Sequence, residues 1–353
     1  MSNPATDYPV SFHGVGDFER LGDIPGVLLS RYPRHVREAL NRRARHVALE
    51  GVGCEVRFVS DHSDVRVFVA AQKPEFGEEL EIRVFRGDFE HSIHHVPPGQ
   101  SMVLPLDAPD TFGAPDPRWL RQGFAPNVWR VQFGRGPGLF LGVDGLGGTV
   151  RPPLPDELPG TRWLAYGSSI TNSHLDGYPH VAARRLGVDV ANKGLSGACH
   201  CEPEVADWLA TGCDWDFMTL ELGVNMRGMA SDEFAQRAGY LVRQVVGKNP
   251  GKPVFLLTIF PNCVSQGIAP AERVNASEVA FNEILRGLVA EIDSPDLHLI
   301  EGDRIMDQFA GLRVDLLHPS PYGHGVMGLN LAECLRPVLV GKGLVGEVVR
   351  PGS

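Results

Sequence analysis

The spacing of apolar residues divides the chain into two parts with different periods. Between Gly51 and Gly148, apolar residues stand mostly at every second position, as in Val65, Val67 and Val69. Turn-forming segments separate these runs, which lie at 56–58, 65–69, 80–84, 129–133 and 139–141. Short alternating strands joined by turns are typical of an antiparallel sandwich or jelly roll. The pattern therefore predicts an antiparallel β-sandwich, preceded by a single short helix near residues 33–45.

From residue 162 onward, strand-like apolar runs alternate with amphipathic helical runs. The predicted strands lie at 162–166, 188–191, 217–222, 254–260 and 297–300. The predicted helices lie at 178–186, 202–210, 231–246, 274–292 and 322–335. Such alternation is typical of a parallel sheet covered by helices on both faces. We therefore expect a three-layer α/β/α domain, with its ligand site at the carboxyl ends of the strands.

A proline-rich stretch separates the two patterns. Residues 151–160 contain four prolines, which cannot donate backbone hydrogen bonds to a central strand or a helix interior. This stretch is predicted to be an extended linker. We accordingly expect two domains, a β-sandwich over residues 1–155 and an α/β/α domain over residues 156–353.

Composition and charge narrow the classes of function. The 353 residues include 33 Lys+Arg and 43 Asp+Glu, a net charge of −10, which argues against a nucleic-acid partner. No apolar run is long enough for a membrane helix, and the first ten residues lack the pattern of a secretory signal. Six cysteines are too few for a disulfide scaffold. We therefore expect a cytoplasmic protein without a nucleic-acid or membrane partner; the sequence leaves its oligomeric state open.

Polar residues that follow the strands of the second part could perform acyl transfer. A serine hydroxyl needs a neighbouring base to act as a nucleophile at neutral pH, and Ser169 follows the first strand in an exposed turn. His318 is the candidate base, and Asp315 is close enough in sequence to hold its second ring nitrogen. The backbone N–H groups of Ser169 and Gly197 and the side-chain amide of Asn225 are candidate donors to an oxyanion.

Four short blocks that contain these residues resemble the GDSL/SGNH family of serine esterases and acyltransferases. They are Gly167-Ser-Ser-Ile-Thr171, the glycine Gly197, Gly223-Val-Asn225 and Asp315-Leu-Leu-His-Pro319. The resemblance covers about residues 162–340. In two places the chain departs from the family: Ser168 stands where the nucleophile block usually has Asp, and Met226 replaces an Asp that often follows the asparagine. Two adjacent serines are thus candidates for the nucleophile, and position matching favours Ser169.

The resemblance implies an SGNH-hydrolase-like (flavodoxin-like) domain that forms an acyl-serine on a carboxylic ester or thioester without a cofactor or a metal. With water as acceptor the protein is an esterase. With a hydroxyl of a small molecule or natural product it is an acyltransferase, for which acyl-CoA is a candidate substrate. The first part resembles the carbohydrate-binding-like sandwich of two-domain members. The alternative is a non-catalytic carbohydrate-binding protein with a relict hydrolase domain, and the complete set of site residues argues against it.

One further motif, Cys199-His200-Cys201, suggests metal binding at first sight. Structural zinc sites combine two such pairs at a characteristic spacing, and the sequence contains no second pair. A zinc site is therefore not expected here.

Overall fold

The computed structural model describes residues 7–73, 79–113, 123–265, 267–268 and 272–347, and only the backbone of 272–276. The strands of the first half are β1 (Ser11–His13), β2 (Asp17–Glu19), β3 (Val27–Ser30), β4 (Cys54–Ser60), β5 (Asp64–Ala71), β6 (Leu80–Arg86), β7 (Phe89–Val96), β8 (Ser101–Asp107), β9 (Val128–Phe133), β10 (Gly138–Asp144) and β11 (Val150–Arg151). They form two antiparallel sheets. Sheet A has the order β1-β4-β9-β6-β7, with β11 also on β4, and sheet B the order β2-β3-β10-β5-β8. The predicted β-sandwich is confirmed.

Strands β4 and β9 of sheet A are buried on both of their faces. On β4, Val56 and Phe58 point into the core between the two sheets. The residues between them, Glu55 and Arg57, are each only 2% exposed because the second half of the chain covers them. Alternation along a strand predicts which residues share a face, but it does not reveal that the polar face is also covered.

Two short helices lie between β3 and β4, where the sequence predicts one. They are α1 (Arg34–Ala39) and α2 (Arg42–Val47). The chain is extended at Asn41, whose side chain accepts a hydrogen bond from the N–H of Ala44 and so caps α2. The prediction of a single helix was therefore wrong, because a capping residue in the middle of the pattern starts a second helix.

The second half contains the predicted parallel sheet. Its strands are β12 (Arg162–Tyr166), β13 (Asp189–Asn192), β14 (Phe217–Glu221), β15 (Val254–Leu257) and β16 (Leu297–Ile300), in the order β13-β12-β14-β15-β16. Its helices are α3 (Tyr178–Leu186), α4 (Pro203–Thr211), α5 (Ser231–Lys248), α6 (Glu272–Ile292) and α7 (Pro321–Gly341). Within the described ranges, no helix is long and apolar enough to cross a membrane.

Helices cover both faces of this sheet, as a buried parallel sheet requires. Apolar residues of α4, α5 and α6 form the core on one face together with α1 and α2, and those of α3 and α7 form the core on the other. Strand order reverses between β12 and β14, and ligand sites of such sheets lie outside the carboxyl ends at that point. The fold thus directs attention to the loops that follow β12 and β14.

The two halves meet through buried ion pairs. Arg57 of sheet A donates two hydrogen bonds to the carboxylate of Asp189 at the start of β13, at 2.6 and 2.7 Å. His13 Nε2 lies 3.2 Å from the same carboxylate, and Arg57 also donates to Glu55 at 2.7 Å. Burial by itself raises the pKa of Asp189, but the charge of Arg57, the nearby His13 and the hydrogen bonds from Arg57 together lower it. The carboxylate is therefore charged at neutral pH, and it pairs with Arg57 together with Glu55.

Replacement of Asp189 tests the contribution of this contact. Asp189→Ala leaves a buried guanidinium without one of its partners, so we expect the free energy of unfolding to fall by about 3–5 kcal/mol. Asp214→Ala is the matched control, because Asp214 is 71% exposed and pairs with Arg162 at the surface. The control should cost less than about 1 kcal/mol. Urea denaturation measures both, and an equal cost for the two variants would contradict the assignment.

Candidate active site

The turn after β12 places one serine inside the protein and the next one at the surface of the site. Ser168 is fully buried, and its Oγ accepts a hydrogen bond from the N–H of Ile170 at 3.1 Å. Ser169 is partly exposed, and its Oγ lies 2.8 Å from Nε2 of His318. Gly167 precedes them where no side chain fits, because a Cβ would lie 2.3 Å from Oγ1 of Thr171.

His318 belongs to a tight loop that Asp315 organises. Oδ1 of Asp315 accepts hydrogen bonds from the backbone N–H groups of Leu317 and His318, at 3.1 and 3.0 Å. Oδ2 accepts from Nδ1 of His318 at 2.7 Å. The backbone N–H of Arg313 donates to the carbonyl of His318 and closes the loop at 2.8 Å. One carboxylate thus fixes both the backbone of the loop and the orientation of the imidazole.

The three predicted side chains therefore form one continuous hydrogen-bonded series from Ser169 through His318 to Asp315. Burial tends to raise the pKa of Asp315, but the hydrogen bonds from the His318 ring and from the two backbone N–H groups lower it overall. A carboxylate that stays ionised favours a proton on the Nδ1 side of the ring. Nε2 is then the acceptor that faces Ser169.

The loops after β13 and β14 bring the other predicted residues together. Gly197 has φ +65° and occupies the third position of a turn in which Ala198 N–H donates to the carbonyl of Leu195 at 3.0 Å. Cys199 N–H donates to Oδ1 of Asn225 at 3.2 Å, which joins the two loops. The oxygen of the Asn225 amide is engaged in this bond, and the NH₂ group is the donor that remains for a ligand.

The positions of the two thiols do not support metal binding by the Cys199-His200-Cys201 motif. Both cysteines are buried in the apolar core, at 1% and 0% exposure, and burial raises the pKa of Cys199 well above its usual value. Among the described residues, no group of His, Cys, Asp or Glu side chains is arranged to hold a metal ion.

Sequence reasoning gave no role to a buried carboxyl group beneath the turn of Ser168 and Ser169. Oε2 of Glu221, at the end of β14, accepts the N–H of Ser168 at 2.6 Å and the hydroxyl of Thr171 at 3.1 Å. Burial raises the pKa of Glu221 to about 7, against the opposing effect of hydrogen bonds from the hydroxyl and N–H of Ser168 and the hydroxyl of Thr171. The sequence did contain one signal for this group, because Glu221 is an acidic residue at the end of an otherwise apolar strand. In this protein, Glu221 supplies a carboxyl group beside Ser168, the position where the resemblance leads one to expect Asp.

Glu221 predicts a measurable dependence of stability on pH. Its pKa is higher in the folded protein than in the unfolded chain, so the folded state binds the proton more tightly. This contribution is present below the unfolded pKa, near 4.5, and is lost as the pH rises toward about 7. We expect the free energy of unfolding of the wild type to fall by about 3 kcal/mol more than that of Glu221→Gln between pH 4.5 and 8. Urea denaturation of both proteins at the two pH values measures this difference. An equal change of the free energy of unfolding in the wild type and in Glu221→Gln would contradict the prediction.

Comparisons with solved structures support the fold over nearly the whole chain. A GDSL-like protein from Bacteroides ovatus is 15% identical, with a TM-score of 0.69 over 97% of this chain and 98% of that one. A salicylyl-acyltransferase from a tetracycline biosynthetic pathway is 16% identical, with a TM-score of 0.72 over 96% of each chain. A family two carbohydrate esterase from Clostridium thermocellum, solved in complex with cellohexaose, is 14% identical, with a TM-score of 0.59 over 94% of this chain and 99% of that one.

The sequence comparisons locate the family relationship in the second half. The curated protein sequences contain no match to this chain. The sequence model of the GDSL-like lipase/acylhydrolase family matches residues 165–326, a range that contains all four blocks of the site. The predicted resemblance is thereby confirmed. Residues 165–326, which carry the site, match the GDSL-like lipase/acylhydrolase family, and the fold of the chain is similar to that of the GDSL-like protein and the salicylyl-acyltransferase.

Proposed function

We propose that this protein transfers acyl groups through an acyl-serine intermediate on Ser169, with His318 as general base and acid and Asp315 as its partner. The observation that carries the proposal is the hydrogen-bonded series described above. Ser169 Oγ lies 2.8 Å from His318 Nε2, and His318 Nδ1 lies 2.7 Å from Asp315. A hydroxyl, an imidazole and a carboxylate in this order are the groups that nucleophilic acyl transfer needs.

The first half-reaction begins when Ser169 Oγ attacks the carbonyl carbon of an ester or thioester. Its proton passes to Nε2 of His318, and Asp315 stabilises the resulting imidazolium. The carbonyl oxygen becomes an oxyanion, for which we assign the N–H groups of Ser169 and Gly197 and the amide of Asn225 as donors. As the bond to the leaving group breaks, His318 returns the proton to the departing alkoxide or thiolate. The acyl group then remains on Ser169.

The second half-reaction repeats these steps with an acceptor hydroxyl. His318 takes a proton from the acceptor, whose oxygen attacks the acyl-serine, and the proton returns to Ser169 as the product leaves. Water as acceptor gives a carboxylic acid, and the hydroxyl of a small molecule gives a new ester. The side chains of His318 and Asp315 are 39% and 49% exposed, so either acceptor can approach. Solved structures of similar fold include both a carbohydrate esterase and an acyltransferase.

The proposed chemistry is complete in the residues of the second half and requires no metal or cofactor. An acyl-CoA thioester would enter it as a substrate that donates the acyl group. We further propose that the chain divides into two domains, residues 1–155 and residues 156–353. The reacting groups lie in the second domain.

Replacement of the two adjacent serines tests the identity of the nucleophile. Ser169→Ala removes the hydroxyl that contacts His318, so we expect kcat for p-nitrophenyl acetate to fall by at least about 10³-fold. Ser168→Ala is the matched control, because it removes a buried hydroxyl that caps Ile170 and hydrogen-bonds to Glu221. We expect it to retain kcat within about tenfold and to lose about 1 kcal/mol of stability. Retained turnover in Ser169→Ala, with loss in Ser168→Ala, would reverse the assignment.

The same substrates identify the acceptor and test the alternative function. Product analysis after reaction with p-nitrophenyl acetate or acetyl-CoA, with and without added glycerol or cellobiose, separates the free acid from a new ester. A wild-type protein that transfers no acyl group from either donor would favour the non-catalytic carbohydrate-binding reading.

Asp315→Asn tests the role of the carboxylate independently. The substitution keeps the size of the side chain but removes the negative charge that orients and stabilises the imidazolium. We expect kcat to fall by about 10²-fold or more at pH 7 to 8, with a smaller change in KM. Steady-state kinetics measure this, and unchanged kcat would remove Asp315 from the mechanism.

A further inference from the structure

The loop that follows β13 is anchored by side chains of the first half of the chain. We call residues 192–197, which end at Gly197, the oxyanion loop. Arg31 is fully buried, and its Nη1 donates to the backbone carbonyls of Gly194 at 2.7 Å and Asn192 at 3.3 Å. Its Nε and Nη2 donate to the carbonyls of Glu50 and Val47, at 2.8 and 2.7 Å. One planar guanidinium therefore ties the oxyanion loop to the end of α2.

Two further contacts between buried groups strengthen this attachment. Lys193 of the oxyanion loop is 4% exposed, and its Nζ donates to the backbone carbonyl of Arg31 at 2.8 Å and to that of Gly14 at 2.7 Å. The hydroxyl of Tyr32 donates to the backbone carbonyl of Lys193. A buried ammonium group or carbonyl is costly to leave unpaired, so the loop and the first half hold each other in place.

A second set of contacts links the first half to the Ser169 turn as well. Asn172, three residues after Ser169, is fully buried. Its amide donates to Oε2 of Glu50 at 2.9 Å and to Oγ of Ser196 in the oxyanion loop at 2.8 Å. Glu50 thus anchors the side chain that bridges the two loops of the site.

Arg43, on α2, contacts the oxyanion loop next to Gly197. Its Nε donates to the backbone carbonyl of Ser196 at 3.0 Å. A Cβ placed on Gly197 would lie 2.6 Å from this Nε, so the guanidinium occupies the space beside the glycine. The side chain reaches this position from 153 residues away in sequence.

From these contacts we propose that Arg31, Arg43 and Glu50 are positioning residues for the active site, and that Arg43 positions the N–H of Gly197. The inference rests on the proposed function, because it is Gly197 that donates to the oxyanion. An oxyanion donor stabilises the transition state only when it already points to where the charge develops. Loops without such support open locally at low free-energy cost, and small displacements of catalytic groups reduce kcat strongly.

This assignment gives the first half a positioning role in the reaction. A separate carbohydrate-binding accessory domain would not need buried side chains in contact with both loops of the site. Arg31 and Glu50 make such buried contacts, and the exposed Arg43 adds a hydrogen bond to the carbonyl of Ser196.

Arg43→Ala is the variant that tests the proposal, because Arg43 is exposed and its removal leaves the buried contacts intact. Arg45→Ala is the matched control, because Arg45 is also exposed and lies on the same helix, and its replacement removes the same charge. Arg43→Lys retains a donor that can reach the carbonyl of Ser196. The experiment uses the full chain with p-nitrophenyl acetate, and measures kcat, KM and the hydrogen exchange of the backbone amides of residues 192–197.

We expect Arg43→Ala to lower kcat about tenfold with KM changed less than twofold, and to speed exchange in the oxyanion loop about tenfold. Arg45→Ala should stay within twofold of the wild type, and Arg43→Lys should recover most of kcat. The ratio of kcat between Arg43→Ala and the wild type should be the same at 0.05 and 0.5 M salt. A direct effect of the exposed charge on the oxyanion would instead shrink as salt screens it.

The positioning role is overturned if Arg43→Ala matches Arg45→Ala in kcat, if loop exchange is unchanged, or if the loss of kcat fades at high salt. Failure of the proposed function has a different signature. In that case the wild type itself does not form an acyl-serine. The exchange measurement still reports whether Arg43 holds the loop.

Discussion

Charges that are buried between the two halves must be paired, and this requirement organises the molecule. The carboxylate of Asp189 and the guanidinium of Arg57 meet at the start of β13, where both are removed from water. A few residues after Asp189, the backbone carbonyls of Asn192 and Gly194 accept hydrogen bonds from Arg31 of the first half. Ion pairs and multiple hydrogen bonds have stricter geometry than apolar contacts, so they fix how sheet A lies on the α/β half.

The contacts between the two halves also position the loops of the proposed active site. β13 is an edge strand of the parallel sheet, and the loop that follows it has the proposed oxyanion donor Gly197. The neighbouring strand β12 leads to Ser169, and Glu221 at the end of β14 supports the same turn from below. The reacting groups therefore lie on a rigid sheet edge, supported by buried polar contacts from beneath and from the first half. The open side is left to His318 and Asp315, whose exposure admits substrate and acceptor.

The site illustrates how a family pattern can be kept while its support changes. The chain has Ser168 where the resemblance leads one to expect Asp, and Ser168 is buried as a cap on the turn. The carboxyl group beneath the turn comes from Glu221, in a different strand. Burial raises the pKa of this carboxyl to about 7, so its charge state changes near neutrality, whereas that of Asp315 does not.

The sequence by itself determined the local structure and the order of the chemical groups. Periods of two and of about 3.6 residues are local signals, and the strands and helices of the structure follow them. Only the tertiary structure decided which polar faces are covered, because alternation says where a side chain points but not what lies opposite. Arg43 and Ser196 are 153 residues apart, and no local period relates them. Their contact exists because the first half packs against β13 and the loop that follows it, where buried charges are paired.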